Sequence, residues 1–317
     1  MMAEAYYELM REAGLDREGN GDAAAMRRMG DLLCDRFNFD AAVRWYMKAA
    51  DQGDACSQYF LGRCYCKGNH GVEQNFADGA KWLEKAAEQG HAEAQYFLGI
   101  LYRLGQGVGQ DHSKANYWFQ KSALQGNSGA MFCLGQAFDL GWGVQVNHAE
   151  AVARYKVAAD SGNSDALVFL GFAYSNGNGV EKNCYEAALC YRKAAEQGNA
   201  WGQYLLSLCY KSGMGVPENW NEAIRLCRLS AEQGLAEAQY FLGECCLIGK
   251  GTDQNLSEAE KWLDKASAQG HAQAQELLAS IQEMTKKGSS GCMVISALLF
   301  VSLAVAVIGS AEMFELI

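Results

Sequence analysis

The sequence predicts an all-α solenoid of helix–turn–helix repeats, followed by a single transmembrane helix. A motif recurs along most of the chain at a nearly constant spacing of 36 residues, and fixed self-similarity of this length is typical of repeat architectures. A long uncharged segment then runs from Gly288 to Ala311. The 317 residues include a single proline, Pro217, which suits a helical array because proline interrupts helices.

The repeat period is set by glycines that each follow a stretch ending in small residues. These glycines are Gly53, Gly90, Gly126, Gly162, Gly198, Gly234 and Gly270. The first spacing is 37 residues and the other five are 36, and the longer one is explained by an extra residue at His70. Leu-Gly pairs such as Leu98-Gly99 keep the same register, so the repeats are aligned throughout.

The sequence pattern of each repeat predicts two helices. In one copy, the first helix is expected from Ala92 to about Leu104, because its apolar residues recur at helical spacing on one face. The apolar positions of that face are Ala94, Phe97, Leu98, Leu101 and Tyr102. The second helix of the same copy is expected from Ser113 to Gln125.

The connection between the two helices, GQGVGQ at 105–110, has the look of a phosphate-binding loop. A dinucleotide-binding fingerprint needs a third glycine where Gln110 stands, and a P-loop needs Gly-Lys-Ser/Thr, which no copy has. Gly105 instead predicts the end of the first helix, and Asp111 predicts the N-cap of the second. The equivalent caps are Asn75, Asn147, Asn183, Asn219 and Asn255. The phrase is therefore interpreted as a helix connection, not a nucleotide site.

These marks divide the chain into six parts. They are an N-terminal helix and lead-in at 1–21, a shortened capping repeat at 22–53 that lacks the glycine turn, a repeat array at 54–285, a basic Gly-Ser linker at 286–290, a transmembrane helix at 291–311, and a short tail at 312–317.

The repeats resemble the Sel1-like repeat family, which is related to the tetratricopeptide repeats. The resemblance is carried by Ala-Glu-Ala-Gln-Tyr-Phe-Leu-Gly at 92–99 and by a second set of positions in the same copy. That second set is Tyr102, Gly105, Gly107, Val108, Asp111, Ala115, Trp118 and the stretch 121–126. The resemblance covers about 22–281 and implies a right-handed α/α superhelix with a groove, used as an adaptor or scaffold for protein complexes. Ser207 departs from it by replacing the glycine of the Leu-Gly pair.

By analogy with tetratricopeptide arrays, the first helices are expected to line the groove. When the groove-lining positions of those arrays are transferred to this sequence, they place an apolar patch of six residues in the central repeats: Phe132, Val168, Phe172, Trp201, Tyr204 and Leu208. Charged residues flank it, namely Arg63, Glu93, Arg103, Glu237 and Glu244. The patch is a candidate site for a helix or an extended peptide of a partner protein. Packing alone is the alternative explanation, since the family commonly has tyrosine at the position of Tyr204.

Charge and cysteine content argue against several other functions. The net charge of −10 argues against nucleic-acid binding, which needs a basic surface. Most of the twelve cysteines, such as Cys133, fall at predicted core positions, and without a signal peptide a reducing cytosol is expected. No acid–base pair, activated nucleophile or metal cluster is recognisable, so no catalytic residue, cofactor or metal site is predicted. An enzyme, or a regulatory subunit of a membrane-associated enzyme complex, is the alternative function.

The segment GCMVISALLFVSLAVAVIGS predicts a membrane span. About 20 residues at ~1.5 Å each reach ~30 Å, the thickness of the hydrocarbon core of a bilayer. A buried capping helix is the alternative, but it would be amphipathic. Lys286 and Lys287 precede the span, so the positive-inside rule places the repeats in the cytoplasm and the C-terminus on the opposite side. The sequence thus predicts a tail-anchored, membrane-tethered scaffold that binds other proteins.

Overall fold

The computed structural model describes residues 2–286, and these form sixteen α-helices and no β-strand. The helices are α1 (Met2–Ala13), α2 (Ala23–Asp35), α3 (Phe39–Asp51), α4 (Ala55–Lys67), α5 (Phe76–Glu88), α6 (Ala92–Leu104), α7 (His112–Ala123), α8 (Ser128–Leu140), α9 (His148–Asp160), α10 (Ser164–Asn176), α11 (Cys184–Glu196), α12 (Ala200–Ser212), α13 (Trp220–Glu232), α14 (Ala236–Ile248), α15 (Leu256–Ala268) and α16 (Ala272–Lys286). They belong to two compact units, an N-terminal unit up to Asn163 and a C-terminal unit from Ser164.

The structure confirms the pairing of helices within each repeat. The predicted first helix at 92–104 is α6, with the same ends. The predicted second helix at 113–125 is α7, which begins one residue earlier, directly after the Asp111 cap, and ends at Ala123. It ends early because the backbone N–H groups of Gln125 and Gly126 bond to carbonyls only three residues back, at Ser122 and Ala123.

The predicted N-caps of the second helices are also confirmed. The Oδ1 atom of Asn183 accepts hydrogen bonds from the backbone N–H of Tyr185 at 3.1 Å and of Glu186 at 3.2 Å. The equivalent side chains cap α5, α7, α9, α13 and α15 in the same way. Each cap satisfies backbone donors that the first turn of a helix leaves without a partner.

The first helices end in a left-handed backbone conformation. At the end of α6, Gly105 has φ 69°, and its N–H donates to the carbonyl of Leu101. The shortened first repeat lacks this glycine, and Phe37 takes the left-handed conformation instead, with φ 58° and a side chain that is 82% exposed. The extra residue of the next turn, His70, is left-handed as well, with φ 56°.

The second glycine of each connection is needed for close approach between repeats. A Cβ atom on Gly107 would overlap the backbone of Phe76 and Ala77 at the start of α5, in the preceding repeat. Gly143 and Gly251 lie in the same way against the starts of α7 and α13. The inner side of the loop is thus filled by a neighbouring helix, which agrees with its interpretation as a connection and not as a phosphate site.

The Leu-Gly pair packs the two helices of a repeat against each other. A Cβ atom on Gly99 of α6 would lie 2.6 Å from Cε1 of Phe119 on α7, so only glycine allows this approach. The sixth repeat departs from the rule with Ser207, which is fully buried. The residue at the position of Phe119 is then Cys227, whose smaller side chain leaves room for the serine.

Between residues 2 and 286, no helix combines the length and the apolar character that crossing a bilayer requires. The predicted transmembrane helix at 291–311 lies outside the described residues, as does the tail at 312–317.

Candidate functional site

The six residues of the predicted apolar patch lie on first helices, in both units. Phe132 is on α8 in the N-terminal unit, where its ring centroid is 5.8 Å from that of Tyr155. The other five are on α10 and α12 in the C-terminal unit. Val168 is only 2% exposed and offers a partner almost no surface. Phe132, Phe172, Trp201, Tyr204 and Leu208 are partly exposed.

In the C-terminal unit the partly exposed rings are anchored from behind. The ring of Trp201 meets that of Tyr204 edge to face at 6.1 Å, and Tyr204 meets Phe241 of α14 at 6.5 Å. Tyr204 and Leu208 pack against the core cluster that contains Leu242 and Leu263. Because these side chains are held by the core on one side, only their outer edges are available to a partner.

An acidic group lies beside these rings on α14. The hydroxyl of Tyr240 donates a hydrogen bond to Oε1 of Glu244 at 2.7 Å. Burial raises the pKa of Glu244 above its usual value, although the hydrogen bond from Tyr240 and the charge of Lys211 both oppose the shift. The ring of Tyr240 also stacks on His271 at 4.7 Å, and burial lowers the pKa of that histidine. This end of the C-terminal unit is therefore polar and acidic.

The first helices of the N-terminal unit carry two arginines among aromatic rings. The guanidinium carbon of Arg63 is 5.0 Å from the ring centroid of Phe97 on α6 and 5.7 Å from that of Tyr59. The guanidinium carbon of Arg103 is 5.6 Å from the ring of Trp142, and its Nη1 donates to Oε1 of Gln136 at 3.2 Å. The first helices of this unit therefore carry two cationic and aromatic clusters, one around Arg63 and one around Arg103, and we call the two clusters together the arginine face.

A set of buried glutamines, which the sequence analysis missed, joins successive repeats. The Nε2 atom of Gln95 donates to the carbonyl of Ala87 at 3.0 Å, and Gln125 donates to Oε1 of Gln95 at 2.9 Å. The same arrangement recurs around Gln58 and Gln239. The recurrence of glutamine at two fixed registers was a visible signal. It indicates a structural role because the glutamine at the first register, such as Gln95, is almost fully buried.

The thiols of the described residues are free, and most of them are buried. Burial raises the pKa of Cys64, Cys209 and Cys245 to about 12 and that of Cys133 to about 11. The thiolate is the reactive and metal-binding form of cysteine, so these groups are chemically inert near neutral pH. Across residues 2–286 no three His, Cys, Asp or Glu side chains come together in a group that could hold a metal ion.

Comparisons with known proteins agree with this architecture. A family model described as Sel1 repeat matches seven segments of the chain. They are 23–54, 57–91, 92–127, 128–163, 164–199, 202–235 and 236–271. A search of curated protein sequences finds no match.

Two solved structures are similar over most of the chain. One is a protective antigen of uropathogenic Escherichia coli strains that displays an SLR fold, with 33% identity and a TM-score of 0.73 over 90% of this chain. The similarity spans 60% of the length of that antigen. The other is a Sel1 repeat protein from Oxalobacter formigenes, with 31% identity and a TM-score of 0.71, covering 78% of this chain and 97% of that one. Since the family model matches more than half of the chain, the protein belongs to the Sel1 repeat family.

Proposed function

We propose that this protein is a membrane-tethered scaffold that binds other proteins or peptides on the faces formed by its first helices. The observation that carries the binding proposal is the row of anchored, partly exposed side chains Phe172, Trp201, Tyr204 and Leu208 on α10 and α12. Proteins built from Sel1 repeats generally mediate protein–protein interactions, and their solenoid is typically non-enzymatic.

The physical case rests on pre-organisation. Aromatic side chains supply most of the binding energy of many interfaces, and ordering a side chain on binding costs ~0.5–1.5 kcal/mol. The ring of Trp201 is already held by its edge-to-face contact with Tyr204, and Tyr204 is held by Phe241 and by the core behind it. A partner that covers their outer edges therefore gains apolar contact with little loss of side-chain entropy.

The membrane part of the proposal rests on the sequence of 291–311. An uncharged apolar segment of that length is long enough to span a bilayer, and Lys286 and Lys287 stand at its N-terminal side. We place the repeats on the cytoplasmic side and the C-terminus on the other. In this arrangement, the span would concentrate whatever the repeats bind at one membrane.

Binding is tested by comparing co-purified proteins from matched variants. Trp201→Ala and Phe172→Asp should each reduce recovery of stoichiometric partners while leaving the fold largely intact, as measured by circular dichroism. Tyr185→Ala is the control, because Tyr185 is a 64% exposed aromatic residue on α11, a second helix. Equal recovery from all four proteins would contradict the binding proposal. Loss of folding in the first two variants would show that these side chains belong to the core.

Tethering is tested separately. The full-length chain should sediment with membranes and resist extraction by high salt and by carbonate, since an inserted span is held by apolar burial. Phe300→Arg, near the centre of the segment, should weaken insertion by ~2.5–3.5 kcal/mol on the translocon scale. Protease added to the cytoplasmic side should digest the repeats. A full-length chain that stays soluble without detergent would contradict this part of the proposal.

A further inference from the structure

The arginine face of the N-terminal unit holds two guanidinium groups that have no acidic partner among residues 2–286. Arg63, on α4, donates from Nη1 to the hydroxyl of Tyr59 at 3.2 Å, and Arg103, on α6, donates to Gln136. Both of these acceptors are neutral. The Nε atom of each arginine is buried and has no hydrogen-bond partner. The positive charges are therefore held in place by aromatic rings and amides without being compensated.

An acid on the first helix α8, which follows α6 in the array, is already engaged elsewhere. Asp139 of α8 contacts Nδ1 of His148 at 2.6 Å through Oδ1, and its Oδ2 accepts from the hydroxyl of Tyr155 at 3.3 Å. Other arginines of the chain do have carboxylate partners, such as Arg154 with Glu150 at 2.6 Å. Some other arginines also lack a carboxylate, such as Arg192, which donates to the hydroxyl of Tyr210. Among the described residues, however, only Arg63 and Arg103 have a buried Nε atom without a hydrogen-bond partner.

Partial burial of a guanidinium without a counter-charge costs free energy, and a ligand that supplies the negative charge removes that cost. A carboxylate suits this role, because it accepts two parallel N–H bonds from one guanidinium in the plane of the group. The rings of Tyr59 and Phe97 hold the guanidinium of Arg63 in a fixed orientation, so little freedom is lost when such a ligand binds. The surrounding aromatic surface would contact the apolar part of the same ligand.

We propose that the arginine face binds an acidic segment of a partner polypeptide, with Asp or Glu carboxylates on Arg63 and Arg103. This inference rests on the proposed scaffold function and adds the chemistry of the partner. A carboxylate fits better than a phosphate because the two arginines lie on different helices, each with its own aromatic support, and neither is at a helix N-terminus, where phosphates usually bind. One negative charge per guanidinium is therefore the better match.

The test uses the full-length chain and a displayed library of random 12-residue peptides. Peptides recovered on the wild type should be enriched in Asp and Glu. A labelled peptide from that pool should bind at least ten-fold more weakly to the double variant Arg63→Gln, Arg103→Gln, as measured by fluorescence anisotropy. Arg44→Gln, which changes an exposed arginine on a second helix, should leave its affinity unchanged. Replacing the acids of the peptide by Asn and Gln should cause the same loss on the wild type and no further loss on the double variant.

The outcomes separate this inference from the scaffold proposal. Enriched peptides that are neutral or basic, or that bind the double variant as well as the wild type, would overturn the proposal that the arginine face binds acidic segments. The proposal of a scaffold function would not be affected. A phosphoserine peptide that binds ten-fold more tightly than its glutamate counterpart would overturn the assignment to carboxylates. No enriched peptide and no co-purified partner would overturn both proposals. The variants Arg63→Lys and Arg103→Lys, which keep the charge and lose the planar fork, should bind at an intermediate affinity if the protein remains folded.

Discussion

Replacing Gly99 by serine tests whether the Leu-Gly pair exists for close packing within a repeat. A Cβ atom there would lie 2.6 Å from Cε1 and 2.7 Å from Cδ1 of Phe119, and 3.2 Å from the backbone oxygen of Ala115. Phe119 is only 1% exposed, so its ring has no free space to move into. The backbone at Ala115 cannot yield without moving α7. We therefore expect the two helices to separate locally and the protein to lose stability.

The magnitude is set by two opposing effects. Serine has a better helix propensity than glycine by about 0.5 kcal/mol, whereas overpacking a core costs ~1–3 kcal/mol. The net expected loss for Gly99→Ser is ~0.5–2.5 kcal/mol. Phe119→Cys alone should cost ~3 kcal/mol or more, in the range of large-to-small core changes. Combining the two recreates the Ser207 and Cys227 pair of the sixth repeat, so the double variant should be more stable than the sum of the single losses by ~1–2 kcal/mol.

The assay is urea unfolding of the full-length variants followed by circular dichroism in one detergent. Gly109→Ala is the control, because a Cβ atom on Gly109 has nothing within 4 Å, so we expect no loss of stability there. If Gly99→Ser is as stable as the wild type, the packing argument is wrong. Simple additivity of Gly99→Ser and Phe119→Cys would refute the explanation of why the sixth repeat tolerates a serine.

Three further predictions concern a cap, a buried acid and the thiols. Asn183→Ala should lower the free energy of unfolding by ~0.5–2 kcal/mol in thermal denaturation, and no loss would mean that α11 does not depend on this cap. Because burial raises the pKa of Glu244, the folded state keeps this proton to higher pH than the unfolded state, so the wild type should lose stability relative to Glu244→Gln as pH rises from the usual 4.5 through the raised pKa. A stability difference that is the same at pH 4 and pH 7 would contradict it. Iodoacetamide at pH 8 should label the exposed Cys56 before Cys209, whose pKa is raised to about 12, and equal labelling rates by mass spectrometry would show that the core opens readily.

The ends of the helices could be predicted from the sequence because they depend on local backbone needs. A left-handed C-terminal residue favours glycine, and free N–H groups at a helix start favour Asn or Asp, whatever surrounds them. Gly105 and Asp111 therefore marked the end of α6 and the start of α7 within one residue. The exception is Phe37, a bulky residue in a left-handed conformation that no propensity would place there.

The exposed faces were harder to predict, because they depend on the position of neighbouring helices. Helix α10 is apolar on most of its sides, so the pattern alone could not tell which apolar side chains remain accessible, and Val168 is buried while Phe172 is partly exposed. The partners of charged side chains were hard to predict for the same reason, because they lie far apart in the sequence. The sequence shows Arg63 and Asp139, but only the structure shows that Asp139 is directed to Tyr155 and His148.

The buried glutamine of a repeat depends on two hydrogen-bond partners. The amide of Gln95 is only 3% exposed and needs both the carbonyl of Ala87 and the side chain of Gln125, since a buried polar group left without a partner costs ~1–3 kcal/mol. The fourth repeat replaces both glutamines, with Met131 at the first position and Ser161 at the second.

In the fifth repeat only the first of the two glutamines is replaced. Leu167 stands at the first position, and the remaining Gln197 has an exposed side chain that water can satisfy. Neither repeat therefore leaves a glutamine amide of this pair buried without a partner. A buried polar group without a partner is the costly case, and it does not arise in these two repeats, because the apolar Met131 and Leu167 stand where other repeats bury a glutamine amide.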